Sequence, residues 1–236
     1  MYILEGNIGA GKSTFLRLID EHIPSIKTVT EPVNNWQSTV YGQSLLTNFY
    51  EEPTRWAYTF ELLTMICRVQ DHLKEQHDKS SAKVIERSIY SGYYCFARNS
   101  YAQGFISAAE WEVYQQWFSF LIPHKCMPPR GFIYLRVSPE IAYERIKKRN
   151  RHAEKTLSFD YLKQIDQQHE ALLIKKEGVL PHLKKVPVLV LDCNEDFENN
   201  QAQLYKHMQA IQSFMVQTGT SMPIAPRDLG SVEFSR

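Results

Sequence analysis

Residues Gly6-Asn7-Ile8-Gly9-Ala10-Gly11-Lys12-Ser13 spell the pattern G-x-x-x-x-G-K-[ST]. They follow the short apolar run Tyr2 to Glu5 and precede the helix-patterned run Thr14 to Ile19, so this loop joins a strand to a helix. In that setting glycines let consecutive backbone N–H groups curl around phosphate oxygens, and the helix N-terminus adds partial positive charge. Lys12 then contacts the outer phosphates, and the Ser13 hydroxyl is a ligand for Mg²⁺. Gly6 to Thr14 therefore form the expected site for ATP or another NTP. The motif leaves the acceptor of the phosphoryl group open.

Working outward, β-rich runs at Lys27 to Thr30, Lys83 to Glu86, Phe132 to Val137 and Val186 to Leu191 alternate with longer helical stretches. That alternation predicts an α/β fold, a three-layer P-loop NTPase sandwich whose five-stranded parallel sheet is flanked by helices. Helical spacing runs from Gly42 to His77, interrupted at Pro53, and again from Ala108 to Ile122. These helices are expected to wall the carboxyl edge of the sheet, where open α/β folds bind ligands. The basic helix Ile141 to Asn150 runs into Arg151 and His152 and reads as an Arg-rich lid. One domain is expected over residues 1–217, followed by a loosely ordered tail, 218–236.

With 27 basic and 26 acidic residues the net charge is +1, which gives no support to a nucleic-acid polymer or a membrane surface as partner. The four cysteines are too far apart for a CxxC pair or a dense disulfide framework. No apolar run approaches the roughly 18 residues of a membrane span, and no targeting segment is visible, so a cytoplasmic protein acting on small molecules is expected. A switch GTPase would carry N-K-x-D, yet no Asn here is followed by Lys. Val188 to Asp192 has the look of an ATPase strand ending in acid; its place near the end of the chain favours a structural last strand.

Glu31-Pro32-Val33-Asn34-Asn35-Trp36 follows the second strand, and Glu86-Arg87-Ser88-Ile89-Tyr90-Ser91 ends the third. Together with the glycine-rich loop these segments resemble the deoxynucleoside kinases, the family of deoxycytidine, deoxyguanosine and insect multisubstrate kinases. The likeness extends from Met1 to about Phe197. It implies Glu31 as the base for the 5′-hydroxyl, a role that phosphoryl transfer to an alcohol independently requires of a carboxylate. It implies that Glu86 helps Ser13 hold Mg²⁺, that Arg87 contacts phosphate and the 5′ region, and that Arg145, Arg149 and Arg151 embrace the transferring group. It places Glu154 and Tyr50 on the sugar 3′-hydroxyl, Phe60 and Phe96 against the acceptor base, and Asp196 and Phe197 at the donor base, a segment that reads equally as an acidic turn at a helix N-terminus. Ile8, Val33, Trp36, Leu46 and Phe49 complete the expected pocket wall. The family pattern often has two successive glutamates in the lid; Ala153 precedes Glu154 here. A homodimer is also implied.

Glu61, Thr64 and Arg68 share a helical face at i, i+3 and i+7. The resemblance makes this the face that reads the base, with glutamine in the family where this chain has Glu61 and aspartate where it has Gly92. A carboxylate only accepts hydrogen bonds, and guanine presents two adjacent donors, so a deoxyguanosine preference is expected, with Arg68 reaching O6. The alternative is that Glu61 and Arg68 neutralise each other. Two other functional readings share the cradle: a nucleoside monophosphate kinase, which needs a cationic pocket for the acceptor phosphate, and a non-catalytic nucleotide-binding module, which has no use for Glu31.

Overall fold

The computed structural model describes residues 1–31, 44–78 and 82–220. Five strands, β1 (Tyr2–Glu5), β2 (Ile26–Val29), β3 (Ala82–Glu86), β4 (Phe132–Arg136) and β5 (Val188–Asp192), form one sheet in the order β2-β3-β1-β4-β5. Every pairing is parallel. Period-two alternation sorts the strand side chains between two cores. Tyr2, Leu4, Ile133 and Leu135 face a core closed by α1 (Lys12–His22) and the long C-terminal helix Gln201–Gln217. Ile3, Ile85, Phe132 and Tyr134 face the other core, built from helices between β2 and β5. The result is the expected helix, sheet, helix sandwich.

Glycine decides the turn from β1 into α1. Gly9 and Gly11 have φ of 81° and 89°, and a Cβ at Gly9 would lie 2.4 Å from the Ala142 carbonyl oxygen. Beyond β2, helix α2 (Leu45–Glu51) is capped by the Ser44 hydroxyl, and α3 (Pro53–His77) begins at Pro53. The expected interruption is thus a boundary between two helices: Pro53 has no N–H to give but suits a first turn. The N-terminal part of that expected run, from Gly42, lies outside the described residues.

After β3 the chain enters α4 (Ile89–Ser91), passes through a π-helical segment (Gly92–Ala97) and continues as α5 (Arg98–Ala102). Helix α6 (Ala108–Lys125) opens on a capping box between Ser107 and Glu110. Following β4, α7 (Pro139–Arg149) starts with Ser138 as cap and ends at Asn150 in the left-handed region. A short 3₁₀ turn (His152–Glu154) leads to α8 (Phe159–His169), capped by Ser158. A second π-helical segment (Glu170–Lys175) and α9 (Pro181–Lys184) reach β5, and α10 is the helix Gln201–Gln217. Among the described residues no helix is long and apolar enough to cross a membrane.

The start of the expected tail is not loose. The Tyr2 hydroxyl bonds to both Thr218 and Thr220, and Thr220 N–H donates to the Met215 carbonyl. These bonds tie residues 218–220 to β1; residues 221–236 lie outside the described part.

Candidate active site

At the carboxyl edge of β1 and β3 a cavity of about 460 Å³ opens between the glycine-rich loop, α2, α3 and the lid. Ile8, Gly9, Gly11, Lys12, Ser13 and Thr14 line one part of it. Lys12 Nζ donates to the carbonyls of Gly6 (3.1 Å) and Asn7 (2.9 Å). Burial, and then the nearby Arg87, push its amine down to about 7 against the pull of Glu86, Glu31 and Glu5. Asn7 does not face the cavity: its amide donates to the Leu162 carbonyl and its Oδ1 accepts the Ile8 N–H, tying the loop to α8. Gly6 and Ala10 shape the turn from behind.

Ser13 Oγ donates to both carboxylate oxygens of Glu86 at 3.2 Å. A hydroxyl and a carboxylate converging beside a phosphate cradle fit Mg²⁺, which takes one or two protein oxygens and completes its shell with phosphate and water.

Glu31 follows β2, with its side chain 7% exposed. Its Oε1 accepts from Arg68 Nε (3.0 Å) and Nη2 (2.7 Å), and its Oε2 from Arg87 Nε (3.3 Å). Burial raises the carboxyl's pKa, but Arg68 and Arg87 outweigh it and hold the group below the usual carboxylate range. Arg87 has a left-handed backbone (φ 61°), its guanidinium lies 4.5 Å over the Phe96 ring, and Nη1 is buried with no hydrogen-bond partner among the described residues. A non-glycine residue in that conformation is strained, and here the strain turns a cation toward the cradle.

Leu46, Phe49, Tyr50, Phe60, Glu61 and Phe96 line the cavity away from the loop. Phe49 and Phe60 stack at 4.9 Å and 12°. Thr64 is buried behind this wall and bonds back to the Glu61 carbonyl. Glu61 is 1% exposed, and its Oε1 has no hydrogen-bond partner among the described residues. Arg68 reaches Glu31, which differs from the expectation that it extends toward a guanine O6. Gly92 explains how: a Cβ there would lie 2.7 Å from Arg68 Nη1, so a side chain at this position would displace the guanidinium.

In the lid, Arg149 and Arg151 line the cavity, and Arg149 Nη2 donates to both oxygens of Glu154 at 2.6 and 2.7 Å. Arg145 is not brought to this cavity. Its Nη2 donates to the carbonyls of Cys193, Asn194 and Glu195, holding the loop after β5. In that loop Asp196 accepts the N–H groups of Glu198 and Asn199, a turn before α10, and Phe197 packs edge-on against Phe15 beneath Gly11. Neither lines the cavity. Val33 and Trp36 lie outside the described residues.

Four site residues escaped sequence reading. Thr30 and Tyr161 line the cavity, and buried Glu5 accepts the backbone and hydroxyl hydrogens of Ser88. Glu5 was legible as an acid ending an otherwise apolar strand beside the loop. Ser88 stood in the quoted Glu86 to Ser91 segment without a role of its own, and Thr30 after β2 and Tyr161 on α8 carry no comparable signal, because only packing brings them to the cavity.

A phosphate cradle at the carboxyl edge of a parallel sheet, faced by an arginine-held carboxylate and covered by a basic lid, defines a P-loop phosphotransferase. The chain belongs to the deoxynucleoside kinase family, which it matches over residues 2–216. It is 36% identical over 235 residues to deoxycytidine kinase 2 of Gallus gallus, covering 90% of this chain and 89% of that protein. It is 37% identical over 220 residues to the mitochondrial deoxyguanosine kinase of Xenopus laevis, covering 84% and 83%. Against deoxycytidine kinase of Homo sapiens it is 31% identical, covering 87% and 88%.

Proposed function

We propose that this chain transfers the γ-phosphoryl group of ATP or another NTP to the 5′-hydroxyl of a deoxynucleoside, giving a dNMP, with Glu31 as the base. The supporting observation is that Glu31, kept ionised by Arg68 and Arg87, shares one cavity with Lys12 and Ser13. A carboxylate held low is a weak base, which suits a loose transition state in which the alcohol proton leaves late. Mg²⁺ held by Ser13 and Glu86 would neutralise charge on the terminal phosphates. Lys12, Arg87, Arg149 and Arg151 supply further positive charge where negative charge spreads over the equatorial oxygens. Arg145 acts at one remove in this scheme, by fixing the loop beneath the cradle.

Glu154 and Tyr50 suit the sugar: Glu154 is oriented by Arg149, and burial keeps the Tyr50 phenol protonated and able to donate. Phe49, Phe60 and Phe96 offer flat apolar surface to the base. An ionised Glu61 matches the two donors of guanine, which supports a deoxyguanosine preference for that form. Cytoplasmic location and a homodimer complete the reading. The latter draws on Val113, Trp117 and Phe120, which form an exposed apolar stripe on α6 at helical spacing.

Replacing the base is the direct test. Glu31→Gln keeps shape and removes basicity, so kcat on deoxynucleosides falls by about 10²–10⁴-fold while the far-UV spectrum stays that of a folded protein. Unchanged turnover overturns the assignment.

A further inference from the structure

Glu61 is a carboxyl sealed into the wall of the nucleoside cavity with one oxygen unclaimed by any described residue. Buried polar atoms are nearly always hydrogen-bonded, so an orphan aimed at a cavity marks a place where a ligand atom completes the bond. Which atom it accepts depends on whether the carboxyl carries a proton. Ionised, it offers acceptors only and matches guanine N1–H and the 2-amino group. Neutral, it offers one donor and one acceptor, which matches the N3 and amino pair of cytosine, the N1 and amino pair of adenine, and an N–H beside a carbonyl in thymine or guanine.

Resting on the reading of this cavity as the nucleoside site, we infer that the proton on Glu61 sets base selectivity: the neutral acid accepts all four bases, and the carboxylate accepts guanine. The surroundings favour the proton at neutral pH. Burial pushes the carboxyl up to about 8, against the downward pull of Arg68, Ser100 and Arg87, with Glu31 pushing further upward. Arg68 is on the same helix, Arg87 follows β3, Glu31 follows β2, and Ser100 lies on α5. The phenols that face it, Tyr50 from α2, Tyr114 from α6 and Tyr161 from α8, are themselves raised by burial and stay neutral across this range. Arg68, the larger of the two cationic pulls, is already engaged, giving Nε and Nη2 to Glu31.

The test is competition between deoxyguanosine and deoxycytidine for the same enzyme from about pH 7 to about pH 9, where steps common to both cancel. The neutral fraction drops from about nine-tenths to about one-tenth, so the deoxyguanosine-to-deoxycytidine ratio of kcat/KM rises about tenfold or more. Glu61→Gln, permanently neutral, gives a ratio that does not move. A flat ratio in the natural protein, or the same rise in Glu61→Gln, overturns the inference. Should the variant not fold, calorimetry of the natural protein at about pH 8 in two buffers of different ionisation heat decides. Deoxycytidine binding then takes up about half a proton, whereas deoxyguanosine, accepted by both forms, takes up none; equal proton counts overturn the inference. The Glu31→Gln control separates this from the site reading. Full activity in that variant removes the site itself, whereas an inactive Glu31→Gln beside a flat ratio removes only the role of the proton.

Discussion

Glu31 and Glu61 lie in one cavity, and their surroundings drive their protonation in opposite directions. Both are buried; the difference is that two guanidinium groups contact Glu31 directly, whereas Glu61 keeps an oxygen with no hydrogen-bond partner among the described residues. A direct ion pair at 2.7 Å outweighs the desolvation that dominates at Glu61. The pH profile tests this at the residue scale. Because Arg68 depresses the folded-state pKa of Glu31, removing it lets the base protonate at higher pH. In Arg68→Met the acid limb of kcat/KM therefore moves upward by about one pH unit or more. An unmoved limb shows that Arg87 alone sets the basicity. The same sign governs stability: the depressed carboxyl stabilises the fold above its unfolded value, and that contribution is lost as pH falls through the folded value.

At the scale of elements, the cradle depends on α7 as much as on its own sequence. Gly9 lies under the Ala142 carbonyl and against Ile146, so the first turns of the lid helix press directly on the phosphate loop. Both the positive φ and the 2.4 Å approach forbid a side chain there. Gly9→Ala is expected to weaken triphosphate binding at least about tenfold, since loop amides and lid helix cannot both keep their places. Nucleotide-induced thermal shifts measure it, and an unchanged shift means that the two elements separate freely. Legibility at this scale followed periodicity and caps. Pro53 marked a boundary correctly, and it proved to start a helix; Arg145, read as part of the lid from its spacing, is held by carbonyls of a loop some 50 positions later in the chain.

The whole molecule adds contacts that join distant segments. Lys83, fully buried in β3, donates to the Glu75 and Asp78 carbonyls and pairs with their carboxylates, fastening the end of α3 to the sheet. Tyr2 does the same for the chain after α10. On the outer face, Trp117 and Phe120 are 47% and 58% exposed on α6, one helical stripe away from the core residues Tyr114, Phe118 and Ile122. If that stripe is the homodimer face, Trp117→Lys with Phe120→Lys yields a protein of half the mass in sedimentation that keeps its fold. A pair variant with the mass of the natural protein places the contact elsewhere.

Sequence alone determined the glycine-rich loop, the strand alternation and the charged positions Glu31, Glu86 and Arg87, because these depend on local pattern and on residue types with few substitutes. Tertiary structure alone decided who meets whom. Arg68 could have faced a base or the Glu31 carboxylate, and Gly92, opposite it on another element, opens the space that sends it to Glu31. The charge of Glu61 was equally undecidable from its letter. Burial by surrounding elements, which no spacing encodes, sets the free energy of a carboxylate in a low-dielectric wall.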